Sequence, residues 1–159
     1  MSTFDQAFAL VIGHEGGFTN NPQDPGNWTG GAVGNGICSG TKFGVSAAAY
    51  PTISITDLTL AGAQSIYRRD YWEPIGGDSL APPLALLAFD AAVNNGVSRS
   101  KAWLELAEKH GGTGAAICGE FLAQRINFMA GLSTWRVFGL GWARRLAALP
   151  YESVTLTAA

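Results

Sequence analysis

Two carboxylates near the start of the chain have residue types and a spacing suited to acid–base chemistry. Glu15 and Asp24 are nine residues apart, and two threonines, Thr29 and Thr41, follow them. Cleavage of a glycosidic bond requires an acid that is still protonated near neutral pH, to donate to the leaving oxygen. A second group must activate water or stabilise the positive charge that develops. These four residues are therefore candidates for such a site.

The position of Glu15 on its predicted helix favours the protonated acid. Glu15 follows Val11 and Ile12 by four and three residues, so it extends an apolar stripe, and partial burial should raise its pKa. It also lies at the end of the helix, where the negative pole of the helix dipole acts in the same direction. On residue chemistry alone, Glu15 is either a general acid or an ordinary acid at a helix end, and Asp24 is either its partner or only an Asx-turn residue. Asp24, in a polar turn, is predicted to position water or stabilise the transition state.

Other chemistries lack their motifs. His14 and Glu15 begin like a zinc-protease helix, but the second histidine is missing, and His110 is the only other histidine in the chain. The glycines between residues 36 and 42 match neither phosphate-binding nor dinucleotide-binding spacing, and there is no Gly-x-Ser-x-Gly motif. We therefore predict no metal and no other cofactor.

Composition limits the class of protein. With 159 residues, 47% hydrophobic and 14% charged, the chain has the composition of a compact globular protein. Its net charge of −2 argues against a nucleic-acid partner, and no apolar stretch reaches the roughly 18 residues of a membrane span. Residues 121–149 nevertheless contain four arginines and no acid. This segment is either a set of solvated helix faces or a surface that attracts an anionic polymer.

The elements that must position the candidate residues are mostly helices. Thr3 and Gln6 predict a capping box at the start of the first helix. Residues 18–44 are dense in Gly, Pro and Asn, which predicts turns and at most a small β-hairpin. Helical spacing of apolar residues recurs in five later segments, 59–72, 82–93, 98–109, 114–129 and 138–149. The predicted fold is mostly α.

Several ordered sequence blocks resemble one known family, glycoside hydrolase family 108, the N-acetylmuramidases of phages and of bacterial secretion or lysis cassettes. The blocks are His14-Glu15-Gly16-Gly17-Phe18, Asn21-Pro22-Gln23-Asp24-Pro25-Gly26, Gly40-Thr41-Lys42-Phe43-Gly44-Val45-Ser46, Ile66-Tyr67-Arg68-Arg69-Asp70-Tyr71-Trp72 and Phe89-Asp90-Ala91-Ala92-Val93-Asn94-Asn95-Gly96. The resemblance implies a lysozyme-like α fold. It also implies hydrolysis of the β-1,4 bond between N-acetylmuramic acid and N-acetylglucosamine in peptidoglycan.

The same resemblance implies catalytic roles. The family's catalytic glutamate corresponds to Glu15, and Asp24 stands at the spacing of the aspartate in phage-type lysozymes of related fold. The third residue, a threonine, is ambiguous because a Gly-rich insertion of Asn27–Gly40 intervenes here. Thr29 fits the distance from Glu15, whereas Thr41 fits the motif that follows it, and we favour Thr41. The insertion itself is a candidate for lining the substrate groove.

Sugar contacts are predicted at four residues on the basis of residue type: Tyr71, Trp72, Asn94 and Asn95. Aromatic rings stack on sugars and amides bind N-acetyl groups, but the two rings fit a core role as well. The two asparagines also fit the end of a helix.

We expect a catalytic lobe over residues 1–97, a helical lobe over 98–150 and a tail over 151–159. The second lobe resembles a predicted peptidoglycan-binding domain, although its apolar stripes favour packing on the first. We expect a monomer whose partner is peptidoglycan. Cys38 and Cys118 make no disulfide framework, and whether they pair is open.

The first residues lack a secretory signal. We therefore expect synthesis in the cytoplasm and delivery to the wall by a holin, dedicated export or a virion, as for a phage-type endolysin. Two alternatives remain, a lytic transglycosylase of the same fold and a non-catalytic wall-binding or tail-associated protein.

Overall fold

The computed structural model of the protein describes residues 1–12 and 17–156, and most of these are helical. The elements are α1 (Thr3–Ile12), β1 (Thr41–Lys42), β2 (Val45–Ser46), α2 (Leu60–Tyr67), α3 (Pro82–Asn95), α4 (Val97–His110), α5 (Gly114–Ala130) and α6 (Trp135–Thr155). The mostly α fold with a small hairpin is confirmed. Among the described helices, none has the length and apolar character needed to cross a membrane.

The chain divides into two compact units, one formed by Met1–Val11 and Arg68–Ala159 and the other by Ile12–Tyr67. We call them the helical unit and the loop unit. Helix α3 is central to the helical unit, since every residue from 84 to 92 is buried and α4, α5 and α6 all pack against it. A helix that is apolar around its whole circumference needs such neighbours. Whether the segment after residue 97 is a lobe packed on a catalytic lobe, or a separable binding module, stays a prediction.

The helix α6 is longer than predicted. It begins three residues before the predicted start and continues through Pro150 to Thr155. Proline in a helix interior removes one backbone hydrogen bond and often kinks or ends a helix, yet α6 continues past Pro150. Leu149 and Ser153 are both buried, and the Ser153 hydroxyl donates to the Pro150 carbonyl at 2.8 Å. We attribute the continuation to tertiary packing of this face. The predicted ends of the catalytic lobe at residue 97 and of the helical lobe at residue 150 stay predictions.

The cap of α1 lies one residue earlier than predicted. Ser2, and not Thr3, forms the capping box with Asp5. The Ser2 hydroxyl accepts the Asp5 N–H at 3.2 Å, while Asp5 Oδ2 accepts both the Ser2 N–H at 3.0 Å and the Ser2 hydroxyl at 2.8 Å. These hydrogen bonds, first from the side chain and then from the backbone of Ser2, lower the pKa of Asp5.

Replacement of Ser2 by alanine is therefore expected to lower the free energy of unfolding by about 1 kcal/mol at neutral pH. Thr3→Ala, which removes no hydrogen bond of the described residues, is the control. Because the pKa of Asp5 is depressed in the folded state, this stabilisation is present above the unfolded pKa and lost as the pH falls through the folded one. Urea unfolding at several pH values measures both effects. An equal loss of unfolding free energy at neutral and acid pH would show that ionised Asp5 is not the stabilising partner of Ser2.

In the loop unit, β1 and β2 form an antiparallel hairpin with Thr41 opposite Ser46. The two connecting residues, Phe43 and Gly44, have φ of 52° and 73°. Positive φ at both positions is typical of the type I′ turn, which matches the twist of two-residue hairpins. A Cβ atom at residue 44 would lie 2.4 Å from the Tyr67 hydroxyl, so any larger residue there would have to displace that hydroxyl and would be strained at this φ.

Candidate active site

The predicted general acid, Glu15, lies outside the described residues. The described part of α1 ends at Ile12, with Val11 buried and Ile12 half-buried. The role of Glu15 and its raised pKa therefore stay predictions.

Asp24 lies in a polar turn, as predicted. Its Oδ1 accepts the Gly26 N–H at 2.9 Å and caps the 3-10 turn Pro25–Asn27. The side chain is exposed, and Oδ2 has no hydrogen bond among the described residues. One carboxylate oxygen thus stabilises the turn. The other faces solvent, where it can accept a hydrogen bond from water or interact with a positive charge.

A buried amide, Asn27, connects the turn of Asp24 to the hairpin. Asn27 is fully buried; its N–H donates to the Asp24 carbonyl at 3.1 Å, and its side-chain amide donates to the Asn21 carbonyl at 3.0 Å. The Thr41 hydroxyl donates to Asn27 Oδ1 at 2.7 Å. The sequence prediction missed Asn27, because a short amide after a Pro-Gly turn looks like any solvated loop residue. Its burial is decided by the chain segments that close over it.

The two candidate threonines have different surroundings. The Thr29 hydroxyl accepts the Ile37 N–H at 2.9 Å inside the insertion, and the Thr29 N–H donates to the Ile37 carbonyl at 3.0 Å. Thr29 is therefore part of the framework that folds residues 27–40 into a self-bonded loop. The Thr41 hydroxyl instead donates to the side chain of Asn27, whose backbone N–H donates to the carbonyl of Asp24. With its own hydrogen donated to Asn27, the Thr41 oxygen retains lone pairs that can accept from a water molecule.

Substitution of Thr41 separates the structural and catalytic roles of its hydroxyl. Thr41→Val should lower the free energy of unfolding by about 1 to 3 kcal/mol, because Asn27 Oδ1 is left buried without a donor. Thr41→Ser keeps the donor and should retain most of the stability. If the hydroxyl also positions water, Thr41→Val loses activity at temperatures where it is still folded. Thermal unfolding and cell-wall turbidity clearance together check this, and full activity of a folded Thr41→Val protein would remove Thr41 from the mechanism.

Of the two aromatic residues predicted to contact sugar, Trp72 is a core residue. It is fully buried, its ring centroid lies 5.4 Å from that of Phe4 and 5.5 Å from that of Phe89, and its Nε1 donates to Asp78 Oδ1 at 2.9 Å. No face of the ring is available for stacking, so the predicted sugar contact at Trp72 is wrong. Tyr71 is half-buried in the π-helical turn Arg68–Trp72, and its role stays a prediction.

The two predicted asparagines lie at the end of α3, where they belong to different parts of one polar network. Asn94 is exposed, and its amide donates to the Asp90 carbonyl at 2.8 Å. Asn95 Oδ1 accepts from Arg125 Nε at 2.8 Å. The Asn94 amide thus bonds the backbone of the last turn of α3, while the Asn95 amide bonds a charged side chain. Sugar contacts at these residues stay a prediction.

A group of charges centres on Asp90, which is fully buried in the middle of α3. Arg125 Nη1 lies 2.6 Å from Asp90 Oδ2, and Arg145 Nε donates to Asp90 Oδ1 at 2.7 Å. Arg145 Nη2 also contacts Asp90 Oδ1 and the carbonyl of Val11 in α1. Burial lowers the pKa of Arg125, and the carboxylate of Asp90 opposes that shift. The sequence signal for this network was an acid in an otherwise apolar helix and four arginines without a neighbouring acid.

Comparison with known proteins places the chain in a family. The family described as Glycosyl hydrolase 108 matches residues 8–96, more than half of the chain. Among solved structures, the chain is similar to one titled "Structure of Brucella abortus SagA", at 25% sequence identity and a TM-score of 0.75, over 97% of this chain and 95% of that chain. No curated protein matches it. The chain belongs to glycosyl hydrolase family 108, and it is a glycoside hydrolase of the peptidoglycan-cleaving, muramidase kind.

Proposed function

We propose that the protein hydrolyses the β-1,4 bond between N-acetylmuramic acid and N-acetylglucosamine, with Glu15 as general acid. The observation that carries the proposal is the family match over residues 8–96, which includes both Glu15 and Asp24. In this mechanism Glu15 donates its proton to the leaving glycosidic oxygen as the bond to the anomeric carbon breaks. The anomeric carbon gains positive charge, water attacks it, and the attacking water loses one proton, either to Asp24 acting as a base or to solvent.

The described geometry supports roles for the partners of Glu15. Asp24 Oδ2, which has no hydrogen bond among the described residues, would accept a hydrogen bond from water or stabilise the oxocarbenium-like transition state. The Thr41 hydroxyl, oriented by Asn27, would accept a second hydrogen bond from the same water. The turn, Asn27 and the hairpin form one hydrogen-bonded assembly, so the two groups are held on a common support.

Analysis of the cleavage products tests the reaction type. Digestion of purified peptidoglycan should release fragments that end in a reducing N-acetylmuramic acid, which borohydride reduction and mass spectrometry identify. A 1,6-anhydro-muramic end would show a lytic transglycosylase, and a reducing N-acetylglucosamine end would show cleavage of the other glycan bond. An absence of fragments from a folded preparation would favour a non-catalytic wall-binding protein.

We also propose that the protein acts as a monomeric phage-type endolysin or a close relative that reaches the wall by holin-type release, dedicated export or virion delivery. Light scattering of the purified protein measures the oligomeric state. Induction of the protein in cells with and without a holin tests the first route, and equal lysis in both would point to another.

A further inference from the structure

A concave cavity in the helical unit is lined mostly by cations, amides and aromatic rings. Its volume is about 340 Å³, and its described lining includes Asn94, Asn95, Arg99, Arg125, Trp142 and Arg145. None of the described lining residues is acidic. The cavity therefore has the composition of a site for a small anionic group.

The charges beside the cavity are unbalanced, because Arg125 and Asp90 are buried together while Arg145 is partly exposed and Arg99 is exposed. Three arginines line it, and the carboxylate that contacts two of them, Asp90, is shared between Arg125 and Arg145. Arg125 is fully buried, and its Nη2 has no hydrogen-bond partner among the described residues. Excess positive charge next to a half-enclosed space lowers the cost of bringing a negative charge into that space.

Arg99 contributes the accessible guanidinium. Its Cζ lies 4.5 Å from the centroid of the Phe128 ring, and its Nη1 donates to the Asn95 carbonyl at 2.8 Å. These two contacts hold the plane of the guanidinium, and no carboxylate pairs with it among the described residues. A fixed and unpaired guanidinium is suited to bidentate binding of a carboxylate.

We propose that this cavity binds a carboxylate of the peptidoglycan stem peptide, with Arg99 as its principal ligand and Trp142 as an apolar wall. The inference rests on the proposed function, because peptidoglycan bears its negative charges on the carboxylates of its peptides. A saccharide bound at the cavity would also meet the exposed amide of Asn94. The cavity would then recognise the peptide-bearing sugar and distinguish peptidoglycan from an uncharged polymer of N-acetylglucosamine.

Binding of small probes tests the proposal without any cleavage. The probe is N-acetylmuramyl-L-alanyl-D-glutamate, and its diamide is the uncharged control; neither contains a bond between two sugars. By isothermal titration calorimetry, the dicarboxylate should bind the full-length protein about ten- to hundredfold more tightly than the diamide. Glycerol phosphate tests the other common anion of cell walls.

Substitutions locate the site. Arg99→Gln should weaken the binding of the dicarboxylate about tenfold or more, and Arg99→Lys should weaken it less because the charge is kept. Arg136→Gln is the matched control, since Arg136 is exposed on α6 and does not line the cavity. Equal binding of the diamide, unchanged binding by a folded Arg99→Gln protein, or equally tight binding of glycerol phosphate would each overturn the proposal.

The experiments can disprove the carboxylate site and the proposed hydrolysis independently of each other. A protein that releases fragments ending in reducing N-acetylmuramic acid but does not bind the dicarboxylate remains a muramidase and excludes the carboxylate site. Binding that depends on Arg99, in a protein that releases no fragments from peptidoglycan, supports the site and overturns the proposed hydrolysis.

Discussion

Glu15→Gln should reduce the rate of cell-wall clearance by about 100- to 10,000-fold, which is the usual contribution of a positioned general acid. Glutamine has nearly the same shape as glutamic acid, but its amide has no proton acidic enough to transfer to the leaving oxygen. The measurement is the fall in turbidity of bacterial cells stripped of their outer membrane, supported by the release of reducing ends from purified peptidoglycan.

The matched control for this variant is Glu105→Gln, the same chemical change at an exposed position on α4. It should clear cell walls at the parent rate. Circular dichroism and thermal unfolding establish that both variants are folded. A folded Glu15→Gln protein with the parent rate would remove Glu15 from the mechanism, and equal losses in the two variants would point to a general effect of charge.

Asp90→Asn should be the most destabilising conservative substitution in the helical unit, with a loss of about 3 to 5 kcal/mol in the free energy of unfolding. Asp90 and Arg125 are both fully buried, and Arg145 adds a second cation to the same carboxylate. An amide cannot neutralise them, so Arg125 is left as an uncompensated charge in the protein interior. For a chain of this size, the loss corresponds to a fall of roughly 10 °C in melting temperature.

Two comparisons separate the effect of charge from that of packing. Asp57→Asn makes the same change at an exposed site and should shift the melting temperature by only a degree or two. In the double variant Asp90→Asn, Arg125→Gln both charges are removed, and the loss should be smaller than the sum of the single losses. Strict additivity of the two single losses would contradict the direct ion pair at 2.6 Å.

The helices were predictable because they depend on local information. Paired prolines in the first turn of α3 and an apolar run behind them predicted a buried helix over 82–93, and the observed helix ends at Asn95. Helix ends were less predictable. The cap at Ser2 replaced the predicted cap at Thr3, because the two residues have similar capping strength and the choice depends on which one can bond Asp5.

The candidate site was predicted in part. The turn around Asp24 follows from its Pro-Gly neighbours, and it is present as expected. The sugar contact predicted at Trp72 was wrong, because the residue type and its position beside Tyr71 do not tell whether the ring faces solvent or the core. Its burial depends on Phe4 and Phe89, which are far from it in the sequence.

The sequence by itself determined the mostly α class, the order of the helices, the turn of Asp24 and the family, because periodicity, turn chemistry and ordered motifs are local properties of the chain. Tertiary structure alone decided which polar groups are buried and paired. Asn27 connects the turn to Thr41, and Asp90 pairs with Arg125 and Arg145 across 35 and 55 residues of sequence. Such pairings depend on how distant segments pack, because the cost of burying a charge is offset only where a partner arrives at the same place.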